Sequence, residues 1–169
     1  MLAFEPVPDS FSELLDNLSL NHCQNVDAFP IALGNRAETM NLYVPEFSMG
    51  TGAASEFLDR GKRVSVLKAR LDEFFRSTGL SRLDFIKADI EGGELYLLEG
   101  SGSLLDEFHP QLLLEIVDVH CRRFGHSPTD VFGYLSKKGY VGYFIDDNGR
   151  LVKPDSCRLP NGNYLFEWA

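Results

Sequence analysis

Apolar and polar positions alternate along the chain in two rhythms, and they change places often enough to predict strands and helices in turn. A short apolar run at 2–4 stops at Glu5-Pro6 and reads as a strand. Phe11, Leu14, Leu15 and Leu18 then share one stripe at helical spacing, with Ser10 and Glu13 at the interval of a capping box. Residues 26–33 read as a second strand with a break at Pro30, and 40–44 alternate as a third. The stretch 45–61, with Gly50, Thr51, Gly52 and Ser55 at its centre, is predicted as a loop and the best candidate for a flap. Strand 64–69, a short helix over 71–77 ending before Gly79, and buried strand 83–88 follow. A helix is expected from about Glu94 to Leu105, turning Leu95, Leu98 and Leu105 inward. QLLLEIV at 111–117 is apolar nearly throughout, as in a strand covered on both faces. Ser127-Pro128-Thr129-Asp130 opens a helix running to Lys138 and stopping at Gly139. Asp147-Asn148-Gly149 is a hairpin signal between 140–145 and 151–152, and Asn161-Gly162 leads into a last strand at 164–168.

Strands alternating with helices until a closing hairpin predict an α/β fold, its sheet mostly parallel with antiparallel strands at one edge. There is no internal repeat, and 169 residues are expected to form a single domain, 1–169.

Charge narrows the function classes. The net charge is −9 and lysine and arginine form no stripe, which argues against nucleic acid as a partner, since that affinity rests on neutralising phosphates. No stretch has the length of a membrane span, so a cytoplasmic protein without a membrane partner is expected. Cys23, Cys121 and Cys157 are an odd number without C-x-x-C spacing and read as reduced thiols, neither a disulfide framework nor a zinc site.

In open α/β sheets ligands sit beyond the carboxyl ends of the strands, which singles out four places. Glu5 ends a strand and faces a helix start; it could accept hydrogen bonds from a ribose diol or simply cap the helix. The corner Ala32-Leu33-Gly34 ends another strand. Asp89-Ile90-Glu91-Gly92-Gly93-Glu94 sets three carboxylates within six residues after a buried strand. They repel one another unless a cation, an ammonium or sulfonium group, or a helix amino end answers them. The bland alternative, helix capping, accounts well for Glu94 and less well for the cluster. Glu115 lies inside an apolar strand and needs a partner or a function. Asp118 and His120 follow at the strand end, where His120 could be a general base or an ordinary loop histidine. His22, His109 and His126 show no metal-ligand spacing, and Trp168 reads as packing.

Taken in order, these segments resemble one family. AFEP at 3–6, a helix ending at 17–21, ALG at 32–34, FIKADIEGGE at 85–94, PQLLLEI at 110–116 and KKGY at 137–140 are similar to the FkbM methyltransferases over almost the whole chain. Residues 86–94 are the most specific part, close to that family's IKxDxEGxE. The resemblance implies a Rossmann-like class I methyltransferase sheet with S-adenosylmethionine as methyl donor and a small-molecule hydroxyl (sugar, polyketide or similar) as acceptor. It implies that Glu5 holds the ribose hydroxyls, that Ala32 and Leu33 border the adenine, and that Asp89 lies beside the methionine part. Glu91, Glu94 and Glu115 are implied to line the acceptor side, and the base is left open, with His120 a candidate.

The family also carries, ahead of AFEP, a strand and a DxGAxxG-type turn for which the chain shows no equivalent. The expectation is therefore a truncated chain, first strand and glycine-rich loop missing. Such a chain would bind the cofactor weakly or not at all, be inactive alone, and risk self-association through exposed sheet edges. Three other readings remain at this stage. They are a degenerate, non-catalytic module, a phosphoester enzyme holding a divalent metal on Asp89, Glu91 and Glu94, and a nicotinamide dehydrogenase using Glu5.

Overall fold

The computed structural model describes residues 1–44, 61–155 and 158–169. The expected flap at 45–61 falls almost wholly outside the described residues, as does Cys157. The chain forms two compact units, Met1–Arg70 and Leu71–Ala169.

In the first unit, β1 (Leu2–Phe4) pairs in parallel with β2 (Asp27–Phe29). Between them runs α1 (Pro8–Leu20), which starts earlier than the Ser10/Glu13 spacing suggests: Val7 is the N-cap and Pro8 the first helical residue. Proline's fixed φ suits that position, and its missing N–H costs nothing there. The stretch 26–33 is two strands rather than one. Past Pro30 the chain enters β3 (Ile31–Leu33), which leaves the β1–β2 ladder and pairs in parallel with β5 (Lys62–Ala69). β4 (Glu38–Val44) lies antiparallel on the other side of β5. Val7, Leu42 and Val66 form the small core of this unit, with Ala32, Met40, Val44 and Val64 packed around it.

The second unit opens with α2 (Leu71–Thr78), followed by β6 (Phe85–Ala88). The helix expected over 94–105 is broken into α3 (Glu94–Gly100) and α4 (Gly102–Phe108). The cause is the Gly100-Ser101-Gly102 junction. The fully buried Ser101 hydroxyl turns back onto the Leu97 and Leu98 carbonyls at 2.8 and 3.2 Å, a bond that competes with helix continuation. Asp72 of α2 then caps the new amino end, accepting from Ser103 N–H at 3.4 Å and Leu104 N–H at 3.1 Å.

β7 (Gln111–Ile116) is followed by α5 (Asp118–Arg123), α6 (Pro128–Lys137), β8 (Tyr140–Ile145), β9 (Leu151–Val152) and β10 (Gly162–Trp168). The capping box Ser127/Asp130 that starts α6 is present. The strands form one sheet in the order β6-β7-β10-β8-β9. Only β6 and β7 run parallel; β10 inserts antiparallel to both β7 and β8. The antiparallel part is thus larger than the edge hairpin alone.

β7 is not equally covered on its two faces. Leu112, Leu114 and Ile116 are fully buried, while Leu113 and Glu115 on the other face are half-buried. That asymmetry is how an apolar strand tolerates Glu115. Under the sheet, Phe132 of α6 meets Tyr164 and Phe166 edge-on, with ring centroids 5.1 and 4.9 Å away. Gly142 makes room for them, since a Cβ there would lie 2.5 Å from a Phe166 ring carbon and 2.8 Å from one of Phe132. Among the described residues no helix is long and apolar enough to cross a membrane.

Candidate functional site

The side chains singled out from the sequence divide between the two units. In the first, Glu5 follows β1 and its Oε1 accepts the Val7 N–H at 2.7 Å. Glu5 thus braces the residue that precedes α1; among the described residues Oε2 accepts nothing. Val7 itself is in the core cluster against which Ala32 packs. At that corner Gly34 N–H donates to the Ala69 carbonyl at 2.9 Å. The stem of Lys68 lies where a Gly34 side chain would be, and its ammonium pairs with Glu38.

In the second unit the acids are sorted into pairs. β6 ends at Ala88, buried at the edge of the core, and the next residue emerges into solvent: the Asp89 side chain is about half exposed, with Lys87 Nζ 3.8 Å from its Oδ2. Glu115 stands at the carboxyl end of the neighbouring β7, close to Asp89. Burial raises the Glu115 pKa above the ordinary carboxylate value, and the contact with Asp89 and the charges of Asp89, Glu91 and Glu94 push it the same way.

A consequence for stability follows. The folded protein holds a proton on Glu115 more tightly than the unfolded chain, so this contribution is complete at low pH and is lost as pH rises through the raised value. Glu115→Gln, which carries no charge among the neighbouring carboxylates, is expected to raise Tm at neutral pH by roughly 2–4 °C, about 1 kcal/mol for a chain this size. Thermal unfolding across a pH series checks it: the advantage should close below the unperturbed carboxylate value of 4.5, and a gap independent of pH would mean that the Glu115 charge is not its cause.

Past Asp89 the backbone makes a tight turn. Gly93 N–H closes onto the Ile90 carbonyl at 3.2 Å, and both central residues have positive φ, Glu91 at 57° and Gly92 at 105°. Glycine is required at 92, because a Cβ would lie 2.5 Å from the His120 carbonyl oxygen. The close approach sets Glu91 Oε2 2.7 Å from His120 Nδ1, both side chains about a quarter exposed. A carboxylate only accepts, so Nδ1 carries the hydrogen, and the lone pair through which the ring can take a proton is the one at Nε2. His120 is not a loop residue: it lies on α5, in the turn after Asp118, whose N–H is held by Asn161 Oδ1 at 2.8 Å.

Glu94 is placed differently. It is 1% exposed, and its Oε1 accepts the Ile90 and Gly92 N–H groups at 3.1 and 3.3 Å. Burial raises its pKa; the N–H groups of Glu94 itself, Ile90 and Gly92, and His126, act against that. His126 is the residue that sequence reasoning passed over. Its Nε2 is 2.9 Å from the Gly92 carbonyl, a contact bridging 34 positions that no spacing could reveal. Cys121 is a buried free thiol whose pKa burial pushes up to about 11, so it stays protonated and is no nucleophile. Among the described residues no group of three or more His, Cys, Asp and Glu is arranged to hold a metal ion; the acids pair off instead.

The sequence model of the methyltransferase FkbM domain matches residues 1–141. The chain is 30% identical over 170 residues to "Methyltransferase sdnD" of Sordaria araneosa, covering 83% of this chain and 64% of that protein. It is 26% identical over 160 residues to "Methyltransferase 1" of Beauveria bassiana, covering 83% and 62%. It thus spans somewhat under two thirds of the length of these curated relatives. Among solved structures it is similar to methyltransferase FkbM from Methylobacillus flagellatus, with a TM-score of 0.61 at 17% identity, over 99% of this chain and 36% of that one; at that identity the likeness speaks for the fold. The matched residues take in Glu5, the β3 corner, the turn after β6 and the helix carrying His120, and on that match the chain belongs to the FkbM methyltransferase domain family.

Proposed function

We propose that the protein transfers a methyl group from S-adenosylmethionine to a hydroxyl oxygen of a small molecule, with His120 as the proton acceptor. The observation that carries this reading is the Glu91–His120 pair: a 2.7 Å contact on a turn held in a costly conformation, at the carboxyl end of a strand, where ligands of α/β sheets bind.

The cofactor supplies an electrophilic methyl on a sulfonium, and the chain's residues supply holding, alignment and a proton route. Glu5 is assigned to the ribose hydroxyls, since its Oε2 accepts nothing from the described protein while Oε1 is fixed by Val7. Asp89, half exposed at the end of β6, is assigned to the cationic methionine part, and Ala32 and Leu33 to the adenine. The assignment of Ala32 and Leu33 follows the family resemblance. His120 Nε2 would take the proton of the acceptor O–H, while Glu5 and Asp89 would hold the cofactor that supplies the methyl group. Glu91 keeps the ring oriented and answers the charge that the ring gains, the usual task of a carboxylate behind an imidazole. Glu115, near Asp89, lines the same carboxyl end of the sheet.

Titration of S-adenosylmethionine against this chain, followed by NMR shift changes, tests the cofactor half. Glu5→Gln and Asp89→Asn are each expected to weaken binding by roughly tenfold, about 1.4 kcal/mol, the worth of one charge-assisted contact. Affinity unchanged in both variants would overturn the assignment.

A further inference from the structure

Two side chains that stand apart from the proton route both grip the turn that carries it. The left-handed conformation of Glu91, at φ 57°, is unfavourable for a residue with a Cβ, and it persists only where the surroundings impose it. They do so from two sides. From within, Glu94 Oε1 takes the N–H groups of Ile90 and Gly92, at 3.1 and 3.3 Å, clasping the turn across Glu91. From the loop after α5, His126 takes the Gly92 carbonyl at 2.9 Å. A carbonyl only accepts, so Nε2 is the donor. His126 is itself steadied by an edge contact with the Tyr96 ring, whose hydroxyl donates to the Phe124 carbonyl at 2.9 Å. The segment that bears His120 is thereby tied to the turn at Gly92.

Both residues also hold a buried polar atom that has no partner among the described residues, Glu94 Oε2 and His126 Nδ1. One Glu94 oxygen thus serves as the acceptor for two N–H groups of the turn at once.

We infer that Glu94 and His126 are positioning residues that jointly hold the Glu91–Gly92 turn so that the Glu91 carboxylate meets His120 Nδ1. This rests on the reading of His120 as the base. It assigns Glu94 to the frame of the site instead of to its acceptor surface.

Long-range proton–nitrogen NMR of the His120 ring in the folded chain reads the pair directly, through the Nδ1-protonated pattern, and needs no acceptor. Two variants remove the grip: His126→Phe, which keeps ring volume but not the donor, and Glu94→Leu, which keeps bulk but not the acceptor. Two others restore it: His126→Gln and Glu94→Gln. The expected result is loss of the Nδ1 pattern in the first two and its retention in the second two. With an acceptor that the wild-type protein methylates, kcat should fall by roughly tenfold to a hundredfold in the first two, the cost of a misplaced group, with KM unchanged. A wild-type His120 pattern in His126→Phe overturns the inference even if Glu94→Leu fails to fold, as does loss of the pattern in all four. If the pattern is lost and kcat stays at the wild-type value, the positioning stands and the assignment of His120 as base fails.

Discussion

Gly92→Ala will cost about 3 kcal/mol of stability and lower Tm by roughly 6–12 °C. Two effects add. The new side chain must adopt φ 105°, a conformation that residues with a Cβ rarely occupy. The Cβ also arrives 2.5 and 2.6 Å from the carbonyl oxygen and carbon of His120 and 2.9 Å from a Phe124 ring carbon. Backbone atoms of a helix cannot swing away as a side-chain tip does, so the turn and α5 must separate. Gly125→Ala is the control: its φ is also positive, at 78°, but nothing lies within 4 Å. It should lose only the conformational part, about 1 kcal/mol. Thermal unfolding of both variants decides the matter; equal losses would mean that the turn does not press on α5. The same variant should also disturb the Glu91–His120 contact, since the glycine is what allows the approach.

The second large effect concerns chemistry. His120→Gln should lower kcat for methyl transfer by about a hundredfold to ten-thousandfold, the range for removing a positioned base. The affinity for S-adenosylmethionine should be unaffected, because the base acts on the acceptor. The measurement is formation of S-adenosylhomocysteine with an acceptor that the wild-type protein turns over. Glutamine matches the ring's polarity and much of its volume, so misfolding is not expected to account for the loss. A drop below tenfold would mean that solvent or another carboxylate takes the proton, leaving Glu91–His120 as a structural pair.

Much of the second unit was legible before any coordinates, because its signals are local. Ser127, Pro128 and Asp130 announce α6 through a capping box that needs only four residues, and Asp147-Asn148-Gly149 fixes the β8–β9 hairpin for the same reason. The Asp89–Glu94 segment stands out in sequence because carboxylates so close together demand an explanation. What sequence could not show was how they are divided. Glu91 and Glu94 differ by three positions and by almost everything else: a reversal of φ turns one toward His120, while the other is folded inward beneath the turn. The break at Ser101 escaped notice because the apolar stripe continues across it, and periodicity registers faces, not hydrogen bonds. α5 was missed because six residues are too few to establish a period. The split of 26–33 into two strands of separate sheets depends on partners elsewhere in the chain, with Pro30 as its only local trace.

β10 enters its sheet between two strands that precede it, β7 and β8. Until it arrives, neither of those strands has its inner neighbour, and the fully buried Tyr164 and Phe166 are missing from the centre of the aromatic cluster. The ladder is therefore closed from the middle instead of growing outward from a finished edge. On the ribosome, β6 and β7 would emerge early and wait with one flank open while α5, α6 and the β8–β9 hairpin are made. The family match ends at residue 141, before this strand, so the piece that finishes the scaffold lies outside the part of the chain by which the family is recognised.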